Sequence, residues 1–389
     1  MPDGSVKMLI CDDIASIGTI DNRPYKECRY LISKGYNVEI LLLSRMERGK
    51  GKDYRMLRGI PCVIFRCRGK ITDFLANTIL KHGTFLLYCV WYLKYIIAVR
   101  RHLASEKADY LHGHNLYGIL AVLLAGKKEA KRVYDMRELI GFQANDKGAV
   151  SLIKQKLSNF AEKRCSAILH VHPYLKEKAS RDLQERYYYL PNYPDAHSVS
   201  PLPKSSKGGL NIAYIGAVRS AQRKYFEILA KACSEIESVR LSIHGGGGGL
   251  PEIKELAKKY PDKVFVTGIY DALADTNRLF SECDLLYCAY DVAVENWRLA
   301  LPIKMFEAIA TGTPLIVSKG AYIEKFILEN DIGFAVDASN EEELRALIAS
   351  IAVSPNLLKI KTDNVMEICQ SFLWENVVTV LDEVYSPIE

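Results

Sequence analysis

The chain has 389 residues, 49% hydrophobic and 25% charged, enough apolar material for two cores and two domains. Its ten cysteines include no C-x-x-C pair and no His-rich neighbour, which excludes a disulfide framework or zinc ribbon and points to reduced thiols in a cytosolic setting. The net charge of +6 is uneven: residues 1–205 hold 34 Lys+Arg against 20 Asp+Glu, or +14, and the remainder is −8. The basic first half is expected to meet something anionic, a membrane surface, a lipid-phosphate acceptor or a nucleic acid. Nucleic acid is set aside because no aromatic-plus-basic reader motif appears.

The opening MPDGSVKMLICDD is too short and too early charged for a signal peptide, and Val6–Cys11 reads as a first strand. The loop SIGTIDNRP, a helix from about Tyr25 to Lys34, Gly35-Tyr36 and the strand Asn37–Leu42 complete a βαβ unit. That loop holds only Gly18 and no G-x-G-x-x-G, which disfavours a dinucleotide enzyme. Residues 45–70 are dense in Arg and Lys. Phe85–Val99 is the most hydrophobic segment, short of the roughly 20 residues needed to span a bilayer. It reads either as a helix buried under the sheet or as one dipping into a membrane interface, where Tyr88, Trp91, Tyr92, Tyr95 and flanking Arg would suit.

Asp109–His114 reads as a strand whose H-x-H puts two imidazoles on one side. No third ligand is evident, so no metal is expected. A helix over 117–124, a strand over 132–135 running into Arg137-Glu138-Leu139, and a strand over 168–171 follow. The Pro-, Ser- and Gly-rich stretch 194–209 is the clearest linker.

The second half opens with the strand Leu210–Ile215, the cationic turn Arg219, Arg223 and Lys224, and a helix from Tyr225 to Ile236. Three cations at a strand-to-helix junction suit a diphosphate. A strand over 241–244 leads into the glycine run Gly245–Gly249, and further strands are expected over 264–270, 284–288 and 333–336. In LPIKMFEAIATGTPLIVSKG, Pro302 suits a first helical turn. Ile303, Phe306 and Ala310 are expected to face the core, with Lys304, Glu307 and Thr311 on the opposite side. Gly312 ends that helix, and 315–317 reads as a buried strand. Taken locally, Lys304 and Glu307 are an i,i+3 ion pair worth a few tenths of a kcal/mol. Helices over 341–352 and 373–385 close the chain.

The string P-x-K-x-F-E-A-x-A-x-G-x-P before an apolar strand resembles the nucleotide-sugar site of glycosyltransferase family 4, retaining enzymes of the GT-B fold. The resemblance implies two Rossmann-like α/β/α domains with an interdomain cleft: an acceptor-binding domain over 1–200, a nucleotide-sugar domain over 201–370, and a helix over 371–389 crossing back. It implies that Glu307 grips the donor ribose hydroxyls. Arg219, Arg223, Lys224 and Lys304 would hold the diphosphate, Gly18 and Gly245 would approach it, and the strand and loop at Tyr270 would frame the base. Asp109-x-x-His112-x-His114 resembles a family motif whose His residues line the cleft, so His114 is a catalytic candidate. Asp135-x-Arg137-Glu138-Leu139 resembles D-x-H-E-L, with Arg137 where the family has a His near the donor sugar. Leu299 stands where the family often has a Glu, which makes Glu295 the candidate substitute.

The implied activity is metal-independent transfer of a hexosyl group from a UDP- or GDP-linked sugar to a glycan or an anionic lipid-linked acceptor. Cell-surface polysaccharide or lipopolysaccharide synthesis is the setting, in the cytoplasm at the inner face of the plasma membrane, with peripheral contact through the N-terminal domain. No D-x-D occurs in the chain. The Arg137 and Leu299 departures keep two alternatives open, a GT-B nucleotide-sugar 2-epimerase and a catalytically silent nucleotide-sugar-binding protein.

Overall fold

A computed structural model describes residues 4–11, 22–49, 51–69, 84–138, 140, 148–201, 209–272 and 274–386. It forms two compact units, Met1–Pro191 with Val378–Glu389, and Asn192–Val377. Gly18 lies outside the described residues.

The first unit carries strands β1 (Ser5–Ile10), β2 (Asn37–Arg48), β3 (Lys52–Leu57), β4 (Ile60–Arg68), β5 (Tyr110–His114), β6 (Lys131–Met136), β7 (Ala167–His170) and β8 (Tyr187–Tyr189). Their order is β3-β4-β2-β1-β5-β6-β7-β8. Only β3 is antiparallel to its neighbour. Helices α1 (Asn22–Ser33), α2 (Thr84–Ser105), α3 (Asn115–Ala125), α4 (Ala149–Glu162) and α5 (Pro173–Lys178) connect the parallel strands. Parallel strands need such crossovers, which cover both faces of the sheet, and every residue of β1 and β5 is buried. The basic stretch after β2 folds as the β3–β4 hairpin. There Arg55 and Arg66 pair with Glu47 and Asp53 at 2.7–3.2 Å, so part of its positive charge is locally compensated.

Helix α2 packs through Leu87, Tyr95, Ile96, Val99 and Leu103 and leaves Tyr88, Leu93 and Ile97 exposed. Among the described residues no helix is long and apolar enough to cross a membrane. The C-terminal segment of this unit is held by side chains of the sheet and of α1. Tyr385 Oη meets His112 Nδ1 at 2.6 Å, Tyr110 Oη donates to the Ser386 carbonyl at 2.7 Å, and Asp382 accepts from Lys34 and Tyr30 at 2.8 Å.

The second unit has six parallel strands, β9 (Leu210–Ile215), β10 (Val239–His244), β11 (Val264–Gly268), β12 (Leu285–Cys288), β13 (Leu315–Ser318) and β14 (Gly333–Val336), ordered β11-β10-β9-β12-β13-β14. Alternate residues of β9 feed two cores: Ile212 and Tyr214 join one, Ala213 and Ile215 the other. Its helices are α6 (Arg223–Ser234), α7 (Leu250–Lys259), α8 (Thr276–Ser281), α9 (Glu295–Arg298), α10 (Ile303–Ala310), α11 (Glu324–Glu329), α12 (Glu341–Val353) and α13 (Pro355–Ile368), followed in the first unit by α14 (Val380–Val384).

One expectation is corrected here. The closing segment is not one helix over 373–385: a 3₁₀ turn over Trp374–Asn376 and the short α14 replace it. Trp374 is buried in the second unit, where its main-chain N–H donates to the Pro194 carbonyl, and the unforeseen α13 precedes it. Pro355 at the first turn of α13 and mixed polarity along its length blur an apolar stripe, which hid this helix from a periodicity reading.

Candidate functional site

In an open doubly wound sheet, ligands bind beyond the carboxyl ends of the strands where the strand order reverses. In the second unit that point lies between β9 and β12. The loops there are tied by main-chain bonds: Gly216 N–H donates to His244 O at 2.9 Å, Val218 N–H to Gly246 O at 2.8 Å and Gly245 N–H to Gly268 O at 2.8 Å. Gly245 is required: its φ is +150°, and a Cβ would stand 1.8 Å from the Gly216 carbonyl. The glycine run therefore clamps the loop after β10 against the cationic turn after β9.

Lys304 sits over this junction. The sequence places it on a solvated helix face, but it is buried, and Ile303, expected in the core, is 51% exposed. Helix α10 is covered almost all round, so a one-faced reading of its period fails. Pro302 caps the helix with extended φ/ψ, and Gly312 follows it at φ +77°. The Lys304 ammonium is 3.3 Å from the centre of the Tyr214 ring and 5.2 Å from that of Tyr290. A Cβ on Gly216 would lie 3.8 Å from Nζ. Among the described residues Nζ has no hydrogen-bond partner. A desolvated ammonium beside aromatic faces keeps its capacity to donate to an anion.

Three residues on, about one helical turn, Glu307 is half-buried on α10. Burial first, and then the Glu307 charge, push the Tyr270 phenol up to about 12. The structure thus gathers Lys304, Gly245, Tyr270 and Glu307 at one end of one sheet. Arg219 is exposed in the adjoining turn, where its main-chain N–H donates to buried Gln222 Oε1 at 3.0 Å. Arg223 is exposed, and its Nε donates to Glu227 Oε1 at 2.7 Å. Lys224 is exposed as well. Glu295 is exposed on α9 with Arg298 Nη2 at 3.4 Å, whereas Leu299 is buried. Sequence reasoning missed Tyr214, Gly216 and Tyr290; the strand end Tyr214-x-Gly216 was the available signal.

The remaining two candidates belong to the first unit, whose order reverses between β1 and β5. His112 and His114 end β5 and are stacked at 4.4 Å between ring centres. His114 Nδ1 is 2.8 Å from Asp135 Oδ2 on β6. Arg23 of α1 forks onto both Asp135 oxygens at 2.7–3.2 Å and donates to the Leu190 carbonyl at 2.7 Å. Its Nε also stands 3.0 Å from Glu27 Oε1, but that N–H is already directed at Asp135, so Glu27 gains an ion pair without an aligned hydrogen bond. Glu27 Oε2 lies 3.7 and 3.6 Å from His112 Nε2 and His114 Nε2, all three atoms buried and without a hydrogen bond among the described residues.

Burial first, then Asp135, push the Glu27 carboxyl up to about 7. Burial, and then His114, hold His112 well below the usual imidazole range. Burial alone would raise Asp135, but Arg23 and His114 hold it well below the usual carboxylate range. The sequence shows no third ligand for the H-x-H pair; the fold supplies Glu27 and Asp135, and the four ligand atoms lie within 4.8 Å of one another. By donor type this set could hold a metal. Arg23 already supplies the cation, however, and a dication would have to sit beside a guanidinium. Arg137 is half-buried just beyond β6, and its charge acts to lower the Glu27 carboxyl.

Residues 209–352 match the family model described as Glycosyl transferases group 1. The whole chain superposes on a sucrose-phosphate synthase from Thermosynechococcus elongatus with a TM-score of 0.73 at 15% identity, covering 98% of each chain. Over residues 209–352 the chain is therefore similar to group 1 glycosyltransferases, and the fold is GT-B. Anabaena HepE, solved in complex with UDP and glucose, superposes with a TM-score of 0.66 at 15% identity over 98% of this chain and 99% of that one. WaaG, a glycosyltransferase involved in lipopolysaccharide biosynthesis, gives 0.63 at 14% over 98% and 100%. Among curated proteins no sequence matches. The Lys304 site lies wholly within the group 1 domain.

Proposed function

We propose that this GT-B chain transfers a hexosyl group from a nucleotide diphosphate sugar to a glycan or an anionic lipid-linked acceptor, with the anomeric configuration retained and without a metal. The observation that carries the reading is the buried, unpartnered Lys304 ammonium at the strand-order reversal of the group 1 domain. The barrier to glycosyl transfer lies in separating a diphosphate from an oxocarbenium-like sugar. A fixed cation aimed where that negative charge collects stabilises the transition state without reorganisation. Arg219 adds a second cation from the turn clamped by Gly245, and Arg223 and Lys224 adjoin it. Glu307 accepts two ribose hydroxyls and Tyr270 flanks the base. Support for a nucleotide donor comes from HepE, solved with UDP, and from a starch synthase IV catalytic domain from Arabidopsis thaliana, solved with ADP and acarbose.

In the first unit, His114 and Arg137 serve the sugar and acceptor, with His114 oriented by Asp135. The setting is cell-surface polysaccharide synthesis in the cytoplasm at the membrane face, where the basic first half meets an anionic acceptor.

Thermal-shift titration with UDP, GDP and ADP tests the donor reading, because a ligand that binds the folded state raises its apparent stability. One diphosphate is expected to raise Tm; no shift with any of them removes the reading. Incubation with donor sugar alone is expected to leave it unchanged, and an epimer product would favour the isomerase. E307A is expected to loosen the chosen diphosphate about 10- to 100-fold, the value of hydrogen bonds to a charged group. Undiminished affinity in calorimetry would remove Glu307 from the ribose.

A further inference from the structure

Helix α4 is inverted. Its inward side is polar or small: Ser158, Ala161 and Glu162 are buried, and Ser151, Lys154 and Gln155 are half-buried. Its outward side is apolar: Val150, Leu152, Ile153, Leu157 and Phe160 are 38–59% exposed. Scattered exposed hydrophobics are ordinary, but five on one face of a 14-residue helix form a contiguous patch.

The inward polar face has a structural cause. Glu162 accepts from Ser158 Oγ at 2.7 Å and from Tyr187 Oη of β8 at 2.9 Å, and Ser158 Oγ lies 3.4 Å from Tyr134 Oη of β6. Rolling the helix to bury its leucines would carry Ser158 and Glu162 outward and leave the Tyr134 and Tyr187 hydroxyls without these partners in the core, at about 1–3 kcal/mol each. The apolar face is therefore held outward by the fold. Neighbouring α3, which packs against both α2 and α4, adds exposed Tyr117 and Leu124, and α2 adds Tyr88, Leu93 and Ile97.

The rim of the patch is cationic. Lys156, Lys163 and Arg164 are exposed, and no exposed carboxylate occurs between 149 and 164. The Arg164 guanidinium lies 3.6 Å from the centre of the Phe160 ring, a charged head carried beside an apolar body. An amphipathic helix with apolar side chains outward and Lys/Arg at its edge lies in the plane of a bilayer interface. A second copy of this face would bring the same three cations against one another.

We propose that α4 is the surface by which the first unit docks on an anionic lipid bilayer, with Leu152, Ile153, Leu157 and Phe160 entering the acyl boundary and Lys156, Lys163 and Arg164 meeting headgroup phosphates. This deepens the reading that the basic first half meets an anionic partner, and it names the surface.

The full chain is mixed with phosphatidylcholine vesicles with and without 30% phosphatidylglycerol and sedimented. Binding is expected with the anionic vesicles and is expected to weaken as salt rises. I153D/L157D should reduce it at least about tenfold. K156Q/K163Q/R164Q should remove the preference for phosphatidylglycerol. Circular dichroism melts should coincide for all three proteins, because the changed side chains are exposed. Absent binding, binding undisturbed by I153D/L157D, or a dimer by light scattering that I153D/L157D dissociates, would each overturn the proposal. The diphosphate titration is independent of lipid. A chain shifted by a diphosphate but indifferent to vesicles sinks the docking surface and spares the transferase reading; one that docks without binding any diphosphate does the reverse.

Discussion

K304M is expected to make the protein more stable and to cut sugar transfer by about 10²- to 10³-fold. The two effects have one origin. Lys304 keeps an ammonium out of water with no acceptor, offset only by the faces of Tyr214 and Tyr290. Methionine keeps most of the stem volume and removes the charge, which should raise stability by about 1 kcal/mol. For a chain of this size that is a Tm increase of a few degrees. The same change removes the cation on which the departing diphosphate is to be stabilised, so the thermal shift given by the diphosphate should shrink as well. Melts with and without diphosphate, and a turnover assay, read all three quantities. A K304M protein that melts lower and still turns over would place the Lys304 charge in structure rather than in donor binding.

The largest stability loss is expected from R23M. Arg23 is the one guanidinium forked onto Asp135, and it also pairs with Glu27; all three side chains are buried. Removing it leaves buried carboxylates uncompensated, at about 3–5 kcal/mol. With about 2–4 °C per kcal/mol, the fall in Tm is on the order of 10 °C. Differential scanning calorimetry checks it, and a loss under about 1 kcal/mol would mean that water or another cation reaches the cluster.

Glu27 gives this cluster a pH dependence whose sign is fixed. Its carboxyl is pushed up to about 7 in the folded chain from an ordinary value of 4.5. The folded state therefore holds the proton more tightly than the unfolded one. The stability this contributes is present in full below about pH 4.5 and is lost as pH rises through about 7. His112 acts oppositely: its depressed value makes the unfolded chain the better proton acceptor, so its effect favours higher pH. E27Q removes the first contribution and keeps the second. Relative to wild type, E27Q should gain stability between pH 5 and pH 8, as read by urea denaturation. A difference that does not change with pH would show that Glu27 does not titrate in that window.

Much of the group 1 domain was legible before any coordinates. The strands 210–215, 264–268 and 333–336, and the stop at Gly312 before the strand at 315, follow from short apolar runs and backbone-restricted residues. These are local quantities, decided within a few residues of chain. The motif around Lys304 and Glu307 was legible for the same reason, since both lie on one eight-residue helix.

What those side chains meet was not. The helical period puts Lys304 opposite the core because it assumes one covered face; the β9 and β12 loops cover the other and make the ammonium a buried group. Arg23 and Asp135 are 112 residues apart, and nothing local in either segment foretells their bidentate pair. The sequence of α4 declares an apolar stripe but not which way it faces. Its orientation is decided by Tyr134 and Tyr187, hydroxyls brought beneath the helix by two strands, which only a polar face can satisfy. Local propensity and punctuation settled most strands of the group 1 region but not α4, α13 or the closing segment; burial and partnership, which depend on what the sheet brings together from distant chain, settled where the charges and the apolar surface act.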